Sequence, residues 1–98
     1  MTDIEKLACS MSYAQNIMMM NEEMGELAQA LSKVYREETP ATRQAVVEEM
    51  ADVLISMDVI KCVLRIDDAQ ITDMKHHKMQ RNLQRTVYGQ EIKGRQAK

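Results

Sequence analysis

Two runs of apolar residues at helical spacing leave this chain few ways to fold. Ile17, Met20, Met24, Leu27, Leu31 and Val34 recur at alternating steps of three and four, and Val46, Met50, Val53, Met57, Ile60 and Leu64 do the same. On an α-helix such residues form one stripe, whereas a half-buried strand needs strict alternation. The stripes therefore predict two long helices. The first runs to about Arg36, and the second opens at Thr39-Pro40, where Thr39 suits the N-cap and Pro40 the first helical position. Only a short polar loop separates them, so they should pack antiparallel. With ten Met and no Trp or Phe, the side chains available for a core are Leu, Ile, Val, Ala and Met, a set that favours helix over strand.

Flanking segments extend this pair to four. A first helix is expected from residue 3, capped by Thr2 or Asp3 and reaching about residue 20 with a bend near Ser12 to Asn16. The apolar stripe of the third helix stops near Arg65, and Asp67 followed by Gln70 resembles a capping box that opens a fourth, ending near Tyr88. The reading is an all-α, four-helix bundle-like single domain over 1–88, followed by a polar tail over 89–98 with two glycines. A chain of 98 residues buries a limited fraction of its surface alone, so a homodimer or homotetramer is expected.

Charge narrows the function classes. Residues 1–60 carry 4 Lys/Arg against 11 Asp/Glu, a balance of −7, and residues 61–98 carry 9 against 4, a balance of +5. The net charge of −2 gives no general reason to expect a nucleic-acid partner. Cys9 and Cys62 belong to no metal-binding or disulfide pattern and read as free thiols. With no apolar run long enough to span a membrane and no signal pattern, a cytoplasmic protein is expected.

Beside each apolar stripe runs a second one that holds the acidic residues. It is Met19, Glu23, Glu26 and Ala30 on the second helix, and Ala45, Glu49, Asp52, Ser56, Val59 and Val63 on the third. Acidic pairs three apart are common on solvated faces, where a Lys or Arg one turn on balances them. Here Glu22, Glu23, Glu26, Glu48, Glu49 and Asp52 are followed four residues later by Glu26, Leu27, Ala30, Asp52, Val53 and Ser56. Inward carboxylates without cationic partners either hold their protons to higher pH or bind a cation. A set of oxygen donors without His or Cys selects Mg²⁺, or Mn²⁺, over zinc. Because Mg²⁺ usually shares its coordination with phosphate oxygens, a phosphorylated partner follows.

The fourth helix places Lys75, Lys78, Asn82 and Arg85 at steps of three and four, a cationic stripe suited either to phosphate oxygens or to solvent. His76 and His77 are adjacent and read as surface residues, and Asp73-x-x-His76 is a single motif where di-iron bundles use two. The methionines read as adaptable core filler, or as a wall against a nucleobase. Tyr13, Tyr35 and Tyr88 are the only aromatics, and no Gly-rich phosphate loop is present.

Glu22-Glu23-Met24-Gly25-Glu26-Leu27, with Glu49-Met50-Ala51-Asp52-Val53 following, resembles the EExxE…ExxD pattern of the MazG-like all-α nucleotide pyrophosphohydrolases. The similarity runs from about Gln15 to Arg85 and includes Ala30-Leu31 and the late Lys78, Asn82 and Arg85. It implies Mg²⁺-dependent hydrolysis of a nucleoside triphosphate to monophosphate and pyrophosphate, as nucleotide-pool housekeeping. Carried over by position, Glu23, Glu26, Glu49 and Asp52 would ligate the metal. Glu22 would assist as a further ligand or as the base that orients water, and Lys78, Asn82 and Arg85 would contact phosphate. The chain is shorter than typical dimeric dUTPases, and Asp52 is followed by Val-Leu-Ile-Ser rather than the Leu-Leu-Tyr-His type of segment of phosphoribosyl-ATP pyrophosphatases. Both subfamilies drop in rank, and the preferred base stays open. The alternative is a non-catalytic oligomerisation or nucleotide-sensing module of the same fold.

Overall fold

The computed structural model describes residues 1–88, all of whose regular structure is helical. The expected polar tail, 89–98, lies outside the described residues. The helices are α1 (Asp3–Cys9), α2 (Tyr13–Arg36), α3 (Pro40–Leu64) and α4 (Asp68–Gln84).

Local sequence sets each boundary. At α1, Thr2 Oγ1 accepts from the Glu5 N–H at 3.1 Å while Glu5 accepts from the Thr2 N–H at 2.9 Å, a full capping box. The helix ends at Cys9, well before the expected residue 20, because Ser12 and Gln15 form a second reciprocal box, at 3.2 and 2.9 Å, that opens α2 afresh. The expected bend is thus a break between two helices. Pro40 disfavours helical backbone at Thr39, so α2 stops at Arg36, and Thr39 caps α3 through the Thr42 N–H at 3.1 Å. Arg65 closes α3 in the left-handed region, at φ 55° and ψ 44°, with its N–H bonded back to Cys62 and Lys61. That is a conformation glycine usually supplies. Gln70 accepts from the Asp67 N–H at 2.9 Å to open α4, which ends at Gln84 rather than near Tyr88.

Two compact units result, Met1–Arg65 and the segment from Ile66 onward. In the first, α3 packs against both α2 and α1. Asn16 and Glu23 of α2 share a cleft with Asp52 to Val59 of α3, whereas Val34 shares a concavity with Pro40 to Met50, so α2 and α3 run antiparallel. Each helix turns inward its second stripe together with part of its apolar one. Asn16, Ala30, Ser56 and Val59 are buried, and Met20, Glu23, Leu27, Val34, Ala45, Glu49 and Val53 are half-buried. By contrast Met24, Leu31, Met50, Met57 and Leu64 of the apolar stripes stay 42–47% exposed. This unit covers its acidic stripe better than its most apolar one. In the second unit every described residue is exposed. No helix among the described residues is long and apolar enough to cross a membrane.

Candidate metal centre

The acidic stripes meet where α2 and α3 face each other. A spacing of three residues puts Glu23 beside Glu26 on one face of α2 and Glu49 beside Asp52 on one face of α3. The antiparallel packing then sets the pairs opposite one another, and one carboxylate oxygen from each of the four residues lies within 4.8 Å of all the others. Glu23 and Glu49 are half-buried, whereas Glu26 and Asp52 are exposed.

Among the described residues no Lys, Arg or His forms an ion pair with this concentration of charge, and the ion pairs Lys6–Asp3, Arg43–Glu38 and Lys61–Asp58 lie elsewhere. Glu23 Oε2 and Glu49 Oε2 are moreover buried without a hydrogen-bond partner. Desolvation raises the Glu23 carboxyl above the usual Glu range, and the charges of Glu26, Asp52 and Glu22 push it further. Glu49 is raised likewise, first by desolvation and then by Glu26, Asp52 and Glu23. Both effects disfavour ionised carboxylates at a place that holds four of them.

No family model, curated protein or solved structure matches this chain.

The donor set itself is informative. Four carboxylates with no nitrogen or sulfur suit a hard divalent cation. Ligands on opposite sides of one Mg²⁺ stand about 4.2 Å apart, so oxygens that all lie within 4.8 Å of one another are at most about 0.6 Å wider than one ion requires. Small rotamer adjustments close that gap.

Other residues singled out by sequence are placed differently. Glu22 is exposed and stands outside the group of four, next in sequence to Glu23 and turned about 100° around the helix. Lys78 and Asn82 lie on α4 and Arg85 at its C-cap, all exposed and all in the second unit. His76 and His77 are exposed, as are Tyr13, Tyr35 and Tyr88.

Beside the carboxylates the first unit forms a cleft of about 180 Å³. Glu23 and Asp52 stand on its wall, with Leu7 and Met11 from the α1 side, Asn16 and Met19 from α2, and Ile55, Ser56 and Val59 from α3. Sequence reasoning missed Asn16, which reads as part of a bend. The available signal was its register: Asn16 precedes Glu23 by seven residues, two helical turns, so it shares the ligand face.

Proposed function

We propose that the protein is a Mg²⁺-dependent nucleoside triphosphate pyrophosphohydrolase that releases nucleoside monophosphate and pyrophosphate. Mn²⁺ would serve in place of Mg²⁺. The observation that supports this reading most is the convergence of Glu23, Glu26, Glu49 and Asp52 to within 4.8 Å, with two buried oxygens lacking any partner. In this reading those four hold the metal. A divalent cation bound there would screen phosphate charge and lower the pKa of a coordinated water. Exposed Glu22, one residue before a ligand, would assist as a further ligand or as the base that orients water. The MazG-like pattern EExxE…ExxD supplies the substrate class, and nucleotide-pool housekeeping in the cytoplasm is the role that goes with it. Self-association as a homodimer or homotetramer completes the proposal, supported by the exposed Met24, Leu31, Met50, Met57 and Leu64.

Pyrophosphate release measured across the ribo- and deoxynucleoside triphosphates, with and without Mg²⁺, is the test. Metal-dependent turnover of at least one nucleotide is expected, and its loss in Glu26→Gln and Asp52→Asn; no turnover of any would overturn the proposal. Charge-neutral replacement of Lys78 and Arg85 in the same assay tests their assignment to phosphate.

The same exposed apolar residues favour one other reading, a non-catalytic helical module that associates or senses nucleotides without turnover. Nucleotide binding by calorimetry with no product would select it.

A further inference from the structure

The exposed apolar face of the first unit is built round methionine. Met24 follows Glu23 on α2 and Met50 follows Glu49 on α3, so each is turned about 100° from an inward carboxylate. Because the two helices run antiparallel, these equal turns carry both side chains to the same side of the α2–α3 layer. Met57 and Leu31 lie seven residues, two helical turns, past Met50 and Met24 and extend the face along its two helices. Met24, Met50 and Met57 are all exposed. Leu would cover the same area with fewer rotamers to freeze, and it differs from Met in one further respect: it carries no atom that a mild oxidant attacks.

We propose that Met24, Met50 and Met57 make the self-association of this protein sensitive to peroxide. The proposal rests on the reading of this face as the contact between copies and adds its chemical control. Peroxide gives one oxygen atom to each thioether sulfur: the O–O bond breaks, an S–O bond forms, the sulfur loses two electrons and the peroxide leaves as water. The sulfoxide is polar and accepts hydrogen bonds where an apolar atom stood. On the free chain all three sulfurs are open to the oxidant, whereas a second copy laid on the face covers them. Oxidation therefore traps the dissociated chain and spares the associated one. A two-fold contact presents each methionine twice, so six sulfoxide oxygens must be buried without partners for the oxidised chains to associate. At a cost of about fivefold or more for each such group, the dissociation constant should rise by about 100-fold at the least.

The test uses the full chain. After graded treatment with hydrogen peroxide and then dithiothreitol, the oligomeric state is read by sedimentation velocity over a range of protein concentrations, and peptide mass spectrometry locates each sulfoxide. The thiol returns the disulfide and sulfenic products of Cys9 and Cys62 and leaves methionine sulfoxide in place. Met1, Met18, Met74 and Met79 are exposed but belong to neither apolar stripe, so their oxidation serves as an internal control. Dissociation should follow sulfoxide at positions 24, 50 and 57, methionine sulfoxide reductases should restore association, and the Met24→Leu, Met50→Leu and Met57→Leu triple variant should stay associated under the same treatment. Oxidised wild-type chains that still associate would overturn this proposal and leave the self-association reading standing. Equal dissociation of the triple variant would do the same, since the sensitive group would lie elsewhere. An untreated wild type that is monomeric at every concentration overturns the self-association reading and this proposal with it. The peptide map and the reductase treatment use the wild-type protein alone, so they decide the matter even where the triple variant fails to fold.

Discussion

Replacing Glu23 by Gln keeps the shape of the side chain and removes one charge from a place where charge is opposed. Its carboxylate stands within 4.8 Å of those of Glu26, Glu49 and Asp52. At that separation two like charges repel by about 0.9 kcal/mol at the dielectric of water, and salt at 0.15 M, with a Debye length of about 8 Å, cuts this to about 0.5 kcal/mol per neighbour. Glu23 is also half-buried with one oxygen unpartnered, and an amide there gains donors that a neighbouring carboxylate accepts. Without divalent metal, Glu23→Gln should therefore raise stability by up to about 1.5 kcal/mol over its three neighbours, or about 6–12 °C in Tm for a domain of this size. With saturating Mg²⁺ the order should reverse. A ligand at 100 times its Kd stabilises the wild-type protein by about 2.7 kcal/mol, and the variant, short of one ligand, should gain little of that. The assay is urea unfolding at fixed protomer concentration, in EDTA and in Mg²⁺. A variant less stable than wild type in EDTA, or one gaining as much from Mg²⁺, would refute the reasoning that the carboxylates repel one another for want of a cation.

Three further outcomes follow from the same structure. Glu23 and Glu49 keep their protons to higher pH folded than unfolded, so the folded state binds more protons between the ordinary Glu value of about 4.3 and the raised ones, and stability falls as pH rises through that window. The metal-free protein should accordingly lose urea stability as pH rises above the ordinary Glu range, and saturating Mg²⁺ should flatten or reverse that slope; a metal-free protein that only grows more stable as pH rises from that range contradicts the burial of these carboxyls. Arg65→Gly should stabilise by about 0.5–1 kcal/mol in thermal unfolding, since a non-glycine residue now holds φ 55° at the end of α3. If the chain self-associates as proposed, the wild type should sediment as a dimer or tetramer and Met50→Glu with Met57→Glu as a monomer, because both residues are exposed, at 47% and 42%, on one face of α3; an unchanged sedimentation coefficient would count against association through this face.

The sequence made some boundaries plain and concealed others, for identifiable reasons. Thr39-Pro40 and the Asp67/Gln70 pair are local signals that act through the nearest backbone, and both open helices where expected. Ser12 and Gln15 are the same kind of signal, yet apolar residues continue across them, and helical periodicity conceals a break that costs only two or three residues of register. The limits of periodicity appear again in the two stripes. Spacing reveals that Met24, Leu31, Met50 and Met57 share a face, but not whether that face is covered by the same chain or by another, and in this chain it is exposed. The acidic face was legible because four residues lack a basic neighbour one turn on. For Asn16 the register seven residues before Glu23 marks only the shared face, whereas its bond to the Ala8 carbonyl arises from the way α1 folds back, which no spacing within α2 encodes.

The central claim is that Glu23, Glu26, Glu49 and Asp52 together hold one hard divalent cation. Titration of the purified protein with Mn²⁺, followed by the electron paramagnetic resonance signal of the free ion, tests it without reference to any substrate. The wild-type protein should suppress the free-ion signal, Mg²⁺ should compete the Mn²⁺ off, and Glu26→Gln with Asp52→Asn should abolish the suppression while helical content by circular dichroism is kept. A free-ion signal identical for the wild-type protein and the double variant would contradict it.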